Sequence, residues 1–256
     1  MSAAIQLNGV TLRQGERVLC RDLSLVMQAG ERWLVLGENG CGKSTLLSVL
    51  AGWQPAAAGC VMLDGADVHQ LPARERATRL AWLTQQDEHP FPMTVMEKVL
   101  TGRHPYIPRW SWEGEEDRRI VADMLARLDI AHLASHDLAT LSGGERRRAS
   151  MAAVLAQQTD WLLLDEPLSQ LDIRHQQSGL QQLQRLADEG KGMVVVSHDP
   201  NHAWAFASHV LMLYGDGRWQ AGTVDTQLTA DNLSQLYRCP VEVLDRKGIP
   251  WFLPCR

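Results

Sequence analysis

The sequence lacks long apolar runs, an excess of positive charge and cysteines at metal-binding spacing. No stretch reaches the roughly 18 consecutive apolar residues that a membrane helix requires, so we expect no segment to span a bilayer. Residues 1–20 lack the basic start and apolar stretch of a secretory signal. The net charge of −5 argues against nucleic acid as the main partner. The five cysteines are irregularly spaced and indicate free thiols in a reducing cytosol.

The residues that are present indicate one large globular domain. A chain of 256 residues can bury a substantial core, and 45% apolar with 21% charged residues is ordinary for a globular protein. Two short, wholly apolar runs, 161–164 and 193–196, are typical of central strands in a parallel sheet that is covered on both faces. Leucines at helical spacing over 173–189 predict the crossover helix between them.

The predicted fold class is therefore α/β, with a mainly parallel sheet at its centre. Short alternating runs before residue 28 and at 59–65 predict a small N-terminal antiparallel β-subdomain. Between residues 90 and 158 a proline-rich stretch is followed by helical spacing, which predicts an inserted α-helical subdomain. The core is expected at about 1–89 and 159–228, and a C-terminal helix and tail at about 229–256.

A glycine-rich motif, Gly37–Ser44, lies between a strand-like and a helix-like apolar run. It has the pattern G-x-x-x-x-G-K-[ST] in the context of a P-loop NTPase core. The glycines let backbone N–H groups point inward, and the helix N-terminus adds positive potential, so the loop can bind a polyphosphate. Lys43 is expected to reach the β- and γ-phosphates, and the Ser44 hydroxyl to bind Mg²⁺. The residues predicted to contact the nucleotide here are Gly37, Glu38, Asn39, Gly40, Cys41, Gly42, Lys43, Ser44 and Thr45.

Two adjacent acids, Asp165 and Glu166, follow the first of the buried strands. An aspartate at the carboxyl end of a strand beside a P-loop is placed to hold Mg²⁺ through its water shell. The strand pleat is expected to point Glu166 the other way, where it could orient an attacking water or accept its proton. The alternative, a solvated acidic pair at a strand end, is disfavoured by the neighbouring P-loop.

A second glycine motif, Leu141-Ser142-Gly143-Gly144-Glu145, precedes a helix predicted over 146–157. A serine and two glycines at that place form another exposed helix N-terminus with unobstructed backbone N–H groups. With this motif the sequence resembles the ATPase subunits of ATP-binding-cassette transporters, whose signature it matches. The resemblance covers nearly the whole chain, and Asp165-Glu166 is similar to the Walker B pair of that family.

The resemblance implies further sites and a dimer. Gln85 is similar to the Q-loop glutamine of the family, residues 169–172 to its D-loop, and His198 to its switch histidine. Two copies of the chain are then expected to enclose two ATP molecules with Mg²⁺, because one copy leaves one side of the γ-phosphate open. The implied roles are catalytic for Lys43, Glu166 and His198, metal-binding for Ser44, Gln85 and Asp165, and nucleotide-binding for Ser142, Gly143, Gly144, Glu145 and Asp172.

Two positions leave alternatives open. The family commonly has an adenine-stacking tyrosine where this chain has Gln14, and Arg13 or Arg17 could stack instead through its guanidinium plane. Cys41 lies inside the phosphate loop. It is either a small packing residue or, because it lies near a helix N-terminus, a reactive thiol of lowered pKa.

Weaker similarities indicate an importer. Residues 101–106, 171–176, 197–202 and 228–233 are similar to ATPases that energise the import of iron–siderophore complexes, haem and cobalamin. This resemblance implies a homodimer bound to membrane permease subunits at the cytoplasmic face of the inner membrane. It also implies an indirect partner, a periplasmic or surface substrate-binding protein, and no nucleic acid.

Two alternatives remain at this stage. The chain could instead be a soluble cassette ATPase that acts on nucleic acid or protein assemblies, which the acidic charge balance disfavours. The aromatic residues Tyr106, Trp110 and Trp112 could pack on a permease helix or belong to the local core.

Overall fold

The computed structural model describes residues 4–85, 91–169, 171–246 and 248–255. The strands are β1 (Ala4–Gln14), β2 (Arg17–Gln28), β3 (Arg32–Leu36), β4 (Ala58–Leu63), β5 (Ala66–Asp67), β6 (Leu80–Leu83), β7 (Trp161–Asp165), β8 (Gly192–Val196), β9 (His209–Leu213), β10 (Trp219–Thr223), β11 (Val241–Arg246) and β12 (Ile249–Pro254). The α-helices are α1 (Lys43–Leu50), α2 (Ala73–Arg79), α3 (Val95–Leu100), α4 (Glu115–Arg127), α5 (Gly143–Ala156), α6 (Ile173–Asp188), α7 (Ala203–Phe206), α8 (Val224–Gln227) and α9 (Ala230–Tyr237). Within the described part of the chain, no helix combines the length and apolar character needed to cross a membrane.

The central sheet has the strand order β10, β9, β3, β8, β7, β6. β10 pairs antiparallel with β9, and the other neighbours pair in parallel. The runs 161–164 and 193–196 lie in β7 and β8, where every residue is buried. The prediction of central parallel strands is confirmed, because a sheet that is covered on both faces selects apolar residues at every position.

The N-terminal antiparallel sheet has the order β2, β1, β4, β5. The sequence predicts short strands broken at Gly9, but β1 continues through Gly9 with irregular register against β2 and β4. Gly9 has a φ of 60°. A Cβ on Gly59 would lie 2.3 Å from the Gly9 carbonyl oxygen. An irregularity in the pairing therefore takes the place of the predicted break, and glycine at both positions lets the strands approach.

The apolar core lies on both faces of the central sheet. One face packs against the N-terminal sheet and α1, and the other packs against α5, α6, α7 and α9. A further apolar cluster lies where α3, α4 and α5 pack on one another. The boundaries assigned to core, helical subdomain and tail stay predictions, and residue 90, the start of that subdomain, lies outside the described residues.

The helix predicted over 146–157 begins earlier, at Gly143, and ends at Ala156. The two glycines are predicted to precede the helix, and glycine is a poor helix former. The N-cap at Ser142 and its reciprocal bonds with Glu145 instead start the helix at once. The local capping box therefore outweighs the low propensity of the glycines.

The C-terminal tail, for which the sequence indicated no element after its helix, forms the hairpin β11–β12. The Asn201 side chain fastens this hairpin to the segment that follows His198. Its Nδ2 donates to the Phe252 carbonyl oxygen at 3.1 Å, and the Phe252 N–H donates to its Oδ1 at 2.8 Å. The rings of Trp204 and Phe252 stack beside this contact, 6.5 Å apart.

Replacing Asn201 with alanine should loosen the C-terminal hairpin. The change removes both hydrogen bonds to Phe252 and leaves a backbone N–H and C=O without them, so we expect a loss of about 2 kcal/mol in unfolding free energy. Urea unfolding measures the loss, and amide hydrogen exchange should place it in β11 and β12. Gln177→Ala, at an exposed site on α6, is the control. Equal unfolding midpoints for the two variants would contradict the prediction.

Candidate functional site

The phosphate loop joins β3 to α1 through backbone conformations that favour glycine. Gly37, Gly40 and Gly42 have φ values of 153°, 74° and 109°. A Cβ on Gly37 would lie 2.4 Å from the Leu213 carbonyl oxygen, and one on Gly42 would lie 3.1 Å from the Leu19 Cβ. The first N–H groups of α1 follow this loop. They have no acceptor within the helix and are available to an anion.

The buried Lys43 side chain lies along the same loop. Its Nζ donates to the carbonyl oxygens of Gly37 at 2.7 Å and Glu38 at 3.0 Å. An ammonium group has three donors, so these bonds hold the charge at the loop and leave one donor for a phosphate. The Glu38 carboxylate lies 3.4 Å from the guanidinium of Arg238, at the end of α9. The sequence pattern gave no sign of this long-range contact.

Asp165 ends β7 and lies next to α1. It is 1% exposed. Burial raises the pKa of its carboxyl group, and a hydrogen bond from the Ser44 hydroxyl opposes that effect. Its Oδ1 is buried and has no hydrogen-bond partner among the described residues. A buried carboxylate oxygen without a partner is costly, whereas Mg²⁺ prefers such oxygen ligands. The Ser44 hydroxyl and the Asp165 carboxylate therefore have the chemistry that the predicted Mg²⁺ requires.

Glu166 and His198 contact each other at the same edge of the sheet, through a hydrogen bond between His198 Nε2 and Glu166 Oε1. Glu166 has a φ of 49°. A left-handed turn after β7, and not the strand pleat expected from the sequence, therefore directs its carboxylate. The Ser169 N–H and hydroxyl hold that turn by donating to the Glu166 carbonyl oxygen at 3.1 and 2.9 Å. Both side chains line a cavity of about 140 Å³.

Ser142 and Glu145 form a capping box at the start of α5. The Ser142 hydroxyl accepts from the Glu145 N–H at 3.3 Å, and the Glu145 carboxylate accepts from the Ser142 N–H at 2.8 Å. Hydrogen bonds from Ser142 lower the pKa of Glu145. The N–H groups of Gly143 and Gly144 have no acceptor within the helix. This helix end can therefore bind an anion.

Gln85 and Asp172 lie at exposed positions. Gln85 follows β6. Asp172 is the N-cap of α6, and its Oδ1 accepts from the His175 N–H at 2.9 Å and contacts His175 Nδ1 at 2.9 Å. Gln170, which belongs to the predicted D-loop, lies outside the described residues. The roles of Gln85 and Asp172 toward the nucleotide stay predictions.

Cys41 is a packing residue of the phosphate loop. It is buried, and a Cβ on Gly215 would lie 2.9 Å from its Cα. Burial raises the pKa of the thiol and outweighs the opposite effect of Lys43. This direction contradicts the lowered pKa of the alternative, and the reactivity of the thiol stays a prediction. In the same stretch, Asn39 is exposed and Thr45 is half-buried.

The structure distinguishes the arginines considered for adenine stacking. The Nε and Nη2 of Arg17 donate to the Gly215 carbonyl oxygen at 3.2 and 2.8 Å. Because Gly215 packs on Cys41, this contact holds the Arg17 guanidinium beside the phosphate loop. Arg13 is exposed. Stacking by either residue stays a prediction.

The three aromatic residues before α4 have different surroundings. The Tyr106 hydroxyl donates to the Gln157 carbonyl oxygen at 2.7 Å, and the Arg103 guanidinium lies 4.2 Å from its ring centre. Trp110 and Trp112 are 92% and 90% exposed. Tyr106 therefore belongs to the local structure, whereas membership of the local core is wrong for Trp110 and Trp112.

One residue of this region, Arg147, was missed by the sequence analysis. Its guanidinium is buried and donates to the carbonyl oxygens of Thr84 at 2.6 Å and Glu166 at 3.0 Å. A signal was available, because Arg147, Met151 and Leu155 are spaced four residues apart. They lie on one face of a helix, so the spacing places an arginine on an apolar stripe.

Comparison with known proteins gives a family and relatives. Residues 20–169, more than half of the chain, match the model of the ABC transporter family. The iron(3+)-hydroxamate import ATP-binding protein FhuC of Bacillus subtilis is 36% identical over 231 residues, which cover 90% of this chain and 86% of that protein. The hemin import ATP-binding protein HmuV of Pseudomonas entomophila is 42% identical over 216 residues, which cover 82% of both.

Two solved structures have the same fold. One is an inward-facing transporter described as of metal-chelate type, with a TM-score of 0.86, 27% identity, and coverage of 99% of this chain and 98% of that one. The other is a post-hydrolysis dimer of the cassette MJ0796 with ADP and phosphate, with a TM-score of 0.76, 27% identity, and coverage of 86% and 98%. With the phosphate loop, carboxylates and histidine at one sheet edge, these matches show that the chain belongs to the ABC transporter family, as one of its ATPase subunits.

Proposed function

We propose that this chain is the ATP-hydrolysing subunit of an importer for an iron chelate, either a siderophore complex or haem. The observation that carries the proposal is the edge of the central sheet, where Lys43 and Asp165 lie beside the Glu166–His198 pair. The proposed cargo is inferred from the relatives, whose names state iron(3+)-hydroxamate import and hemin import. Cobalamin, also considered from the sequence, is named by neither of these relatives.

Hydrolysis requires two copies of the chain in this proposal. Lys43, Asp165 and Glu166 approach the phosphates from one side only. The N-terminus of α5, with the N–H groups of Gly143 and Gly144, has the positive potential to close the other side. In a two-fold dimer, the α5 tip of each copy meets the γ-phosphate held by the other copy. The similarity to a dimeric cassette supports this arrangement.

Glu166 accepts the proton of the attacking water, and Lys43 stabilises the charge on the phosphates. A carboxylate only accepts hydrogen bonds, so this mechanism takes His198 Nε2 as the donor in its contact with Glu166. The γ-phosphate is a second anionic acceptor for that N–H. His198 can therefore turn to the phosphate when ATP binds, which frees the Glu166 carboxylate for the water.

Ser44 and Asp165 hold Mg²⁺ in this proposal, and Gln85 reaches it from the end of β6. When bound, the ion neutralises charge on the β- and γ-phosphates. The support is the Asp165 Oδ1, which is buried without a hydrogen-bond partner among the described residues, next to the Ser44 hydroxyl.

The chain binds permease subunits at the cytoplasmic face of the inner membrane, and a substrate-binding protein delivers the chelate from outside. Trp110 and Trp112 support a docking surface, because both rings are almost fully exposed. Large exposed aromatic rings lose much apolar surface to water when a helix packs on them. The cargo itself does not contact this chain.

Replacing Glu166 with glutamine should stop hydrolysis without preventing ATP binding. An amide keeps the shape of the side chain but cannot accept the proton of water, so we expect turnover to fall at least about 100-fold. ATP should then hold the dimer, which sedimentation with MgATP detects. Glu115→Gln, at an exposed site on α4, is the control and should match the wild type. Retained turnover in Glu166→Gln would refute the role of Glu166.

The cargo and the docking surface can be tested in the complete membrane complex. We expect ferric siderophore or hemin, and not cobalamin, to stimulate ATP turnover when the substrate-binding protein is present.

The double substitution Trp110→Ala and Trp112→Ala should lower retention of the chain on permease-containing membranes and leave its own ATP turnover unchanged. Ile249→Ala, an exposed apolar site on the C-terminal hairpin, is the control. Stimulation by cobalamin alone would overturn the proposal of an iron-chelate cargo. Full retention of the double variant on the membranes would overturn the proposed docking surface.

A further inference from the structure

Arg147 lies buried between α5 and the carboxyl edge of the central sheet, with 7% exposure. Its Nη1 donates to the Thr84 carbonyl oxygen at 2.6 Å, and its Nη2 donates to that of Glu166 at 3.0 Å. Nη2 also donates to the Asp165 carbonyl oxygen. One guanidinium therefore joins α5 to the ends of two neighbouring strands.

The Thr84 and Asp165 carbonyl groups that Arg147 binds lie just past the end of the ladder between β6 and β7. That ladder ends at the pair Leu83 and Leu164. Thr84 follows the end of β6, whereas Asp165 is the last residue of β7 and pairs with Val196 of β8. Asp165 is buried, and leaving its carbonyl oxygen without a donor would be costly, so the bond from Arg147 stabilises this end of β7. The guanidinium supplies several donors in a fixed plane, whereas a lysine ammonium would act as a single point.

The segments held by Arg147 carry the proposed chemistry of their own subunit. Thr84 precedes Gln85, and Asp165 and Glu166 supply the proposed metal and water groups. Helix α5, which carries Arg147, contributes to the nucleotide site of the second copy. α5 begins at Gly143, and in the proposed dimer its tip meets the nucleotide held by the second copy. Arg147 lies little more than one helical turn from that tip, so the two move together.

We propose that Arg147 is a positioning residue that sets the Glu166 carboxylate and Gln85 according to where α5 lies. The proposal rests on the ATPase function stated above. The residue does not touch ATP or water and acts through the backbone of Glu166. When the α5 tip binds the nucleotide held by the partner subunit, the displacement of α5 reaches Glu166, the base of its own subunit, through Arg147. Each site therefore responds to whether the other site is filled.

Substitution of Arg147 should separate turnover from binding. Arg147→Met keeps an unbranched apolar stem but removes the guanidinium donors, and we expect kcat to fall about 30-fold because the base is displaced. The KM for ATP should stay within about twofold, since the phosphate loop is unchanged. Arg147→Lys keeps the charge and part of the bonding, so a loss of about fivefold is expected. Arg185→Met, at an exposed site on α6, should match the wild type.

The full-length chain with MgATP is the material for these measurements, taken well below each variant's melting temperature. A second readout uses the Glu166→Gln background, where Arg147→Met should still form the ATP-dependent dimer. If Arg147→Met does not fold, the kcat of Arg147→Lys decides. Turnover of Arg147→Met, or failing that of Arg147→Lys, at the wild-type rate would overturn the proposal. So would a parallel loss of kcat and ATP binding. Wild-type protein that hydrolyses no ATP would overturn the proposed function itself, which is a distinguishable result.

Discussion

The parallel register of β3, β7 and β8 is the constraint on which the site depends. Val194 of β8 pairs with Trp33 on one side and with Leu163 on the other, so the three strands end at one edge. The phosphate loop and His198 follow the ends of β3 and β8, and Asp165 is the last residue of β7. A shift of one residue in either pairing would move these groups apart by about 3.3 Å, which exceeds the tolerance of a hydrogen bond. Apolar burial on both faces of the sheet therefore sets the precision of a polar site.

Lys43 and Glu166, two charged groups of this site, are already bonded to other groups of the chain. Lys43 bonds to carbonyl groups of its own loop, and Glu166 bonds to His198. Phosphates would replace such partners rather than order free side chains, so little side-chain entropy remains to be lost on binding. Asp165 differs, since its Oδ1 has no hydrogen-bond partner among the described residues. Its burial favours the arrival of a cation, and this contrast separates the proposed phosphate-binding part of the site from the proposed metal-binding part.

How far the sequence predicts this structure depends on how local each signal is. The phosphate loop and the strand before Asp165 are read directly, because spacing and apolar runs determine them within a few residues. The predicted start of α5 at residue 146 is wrong, because the capping box of Ser142 and Glu145 begins the helix at Gly143. The turn at Glu166 and the contacts of Arg147 depend on residues far along the chain, such as Val196 and Thr84. No local pattern records which carbonyl a buried arginine will bind.

Helix α5 packs against both the central sheet and the helices α3 and α4. Ala149, Ala152 and Ala156 face the cluster shared with α3 and α4, whereas Met151 and Leu155 face the core on the sheet. A helix that is apolar on two faces cannot rotate without exposing one of them. Its permitted motion is a small tilt or slide, with packing kept on both sides. Such a motion displaces both the Ser142–Glu145 tip and the Arg147 guanidinium. Apolar packing therefore restricts α5 to movements that displace its N-terminus and the Arg147 guanidinium together.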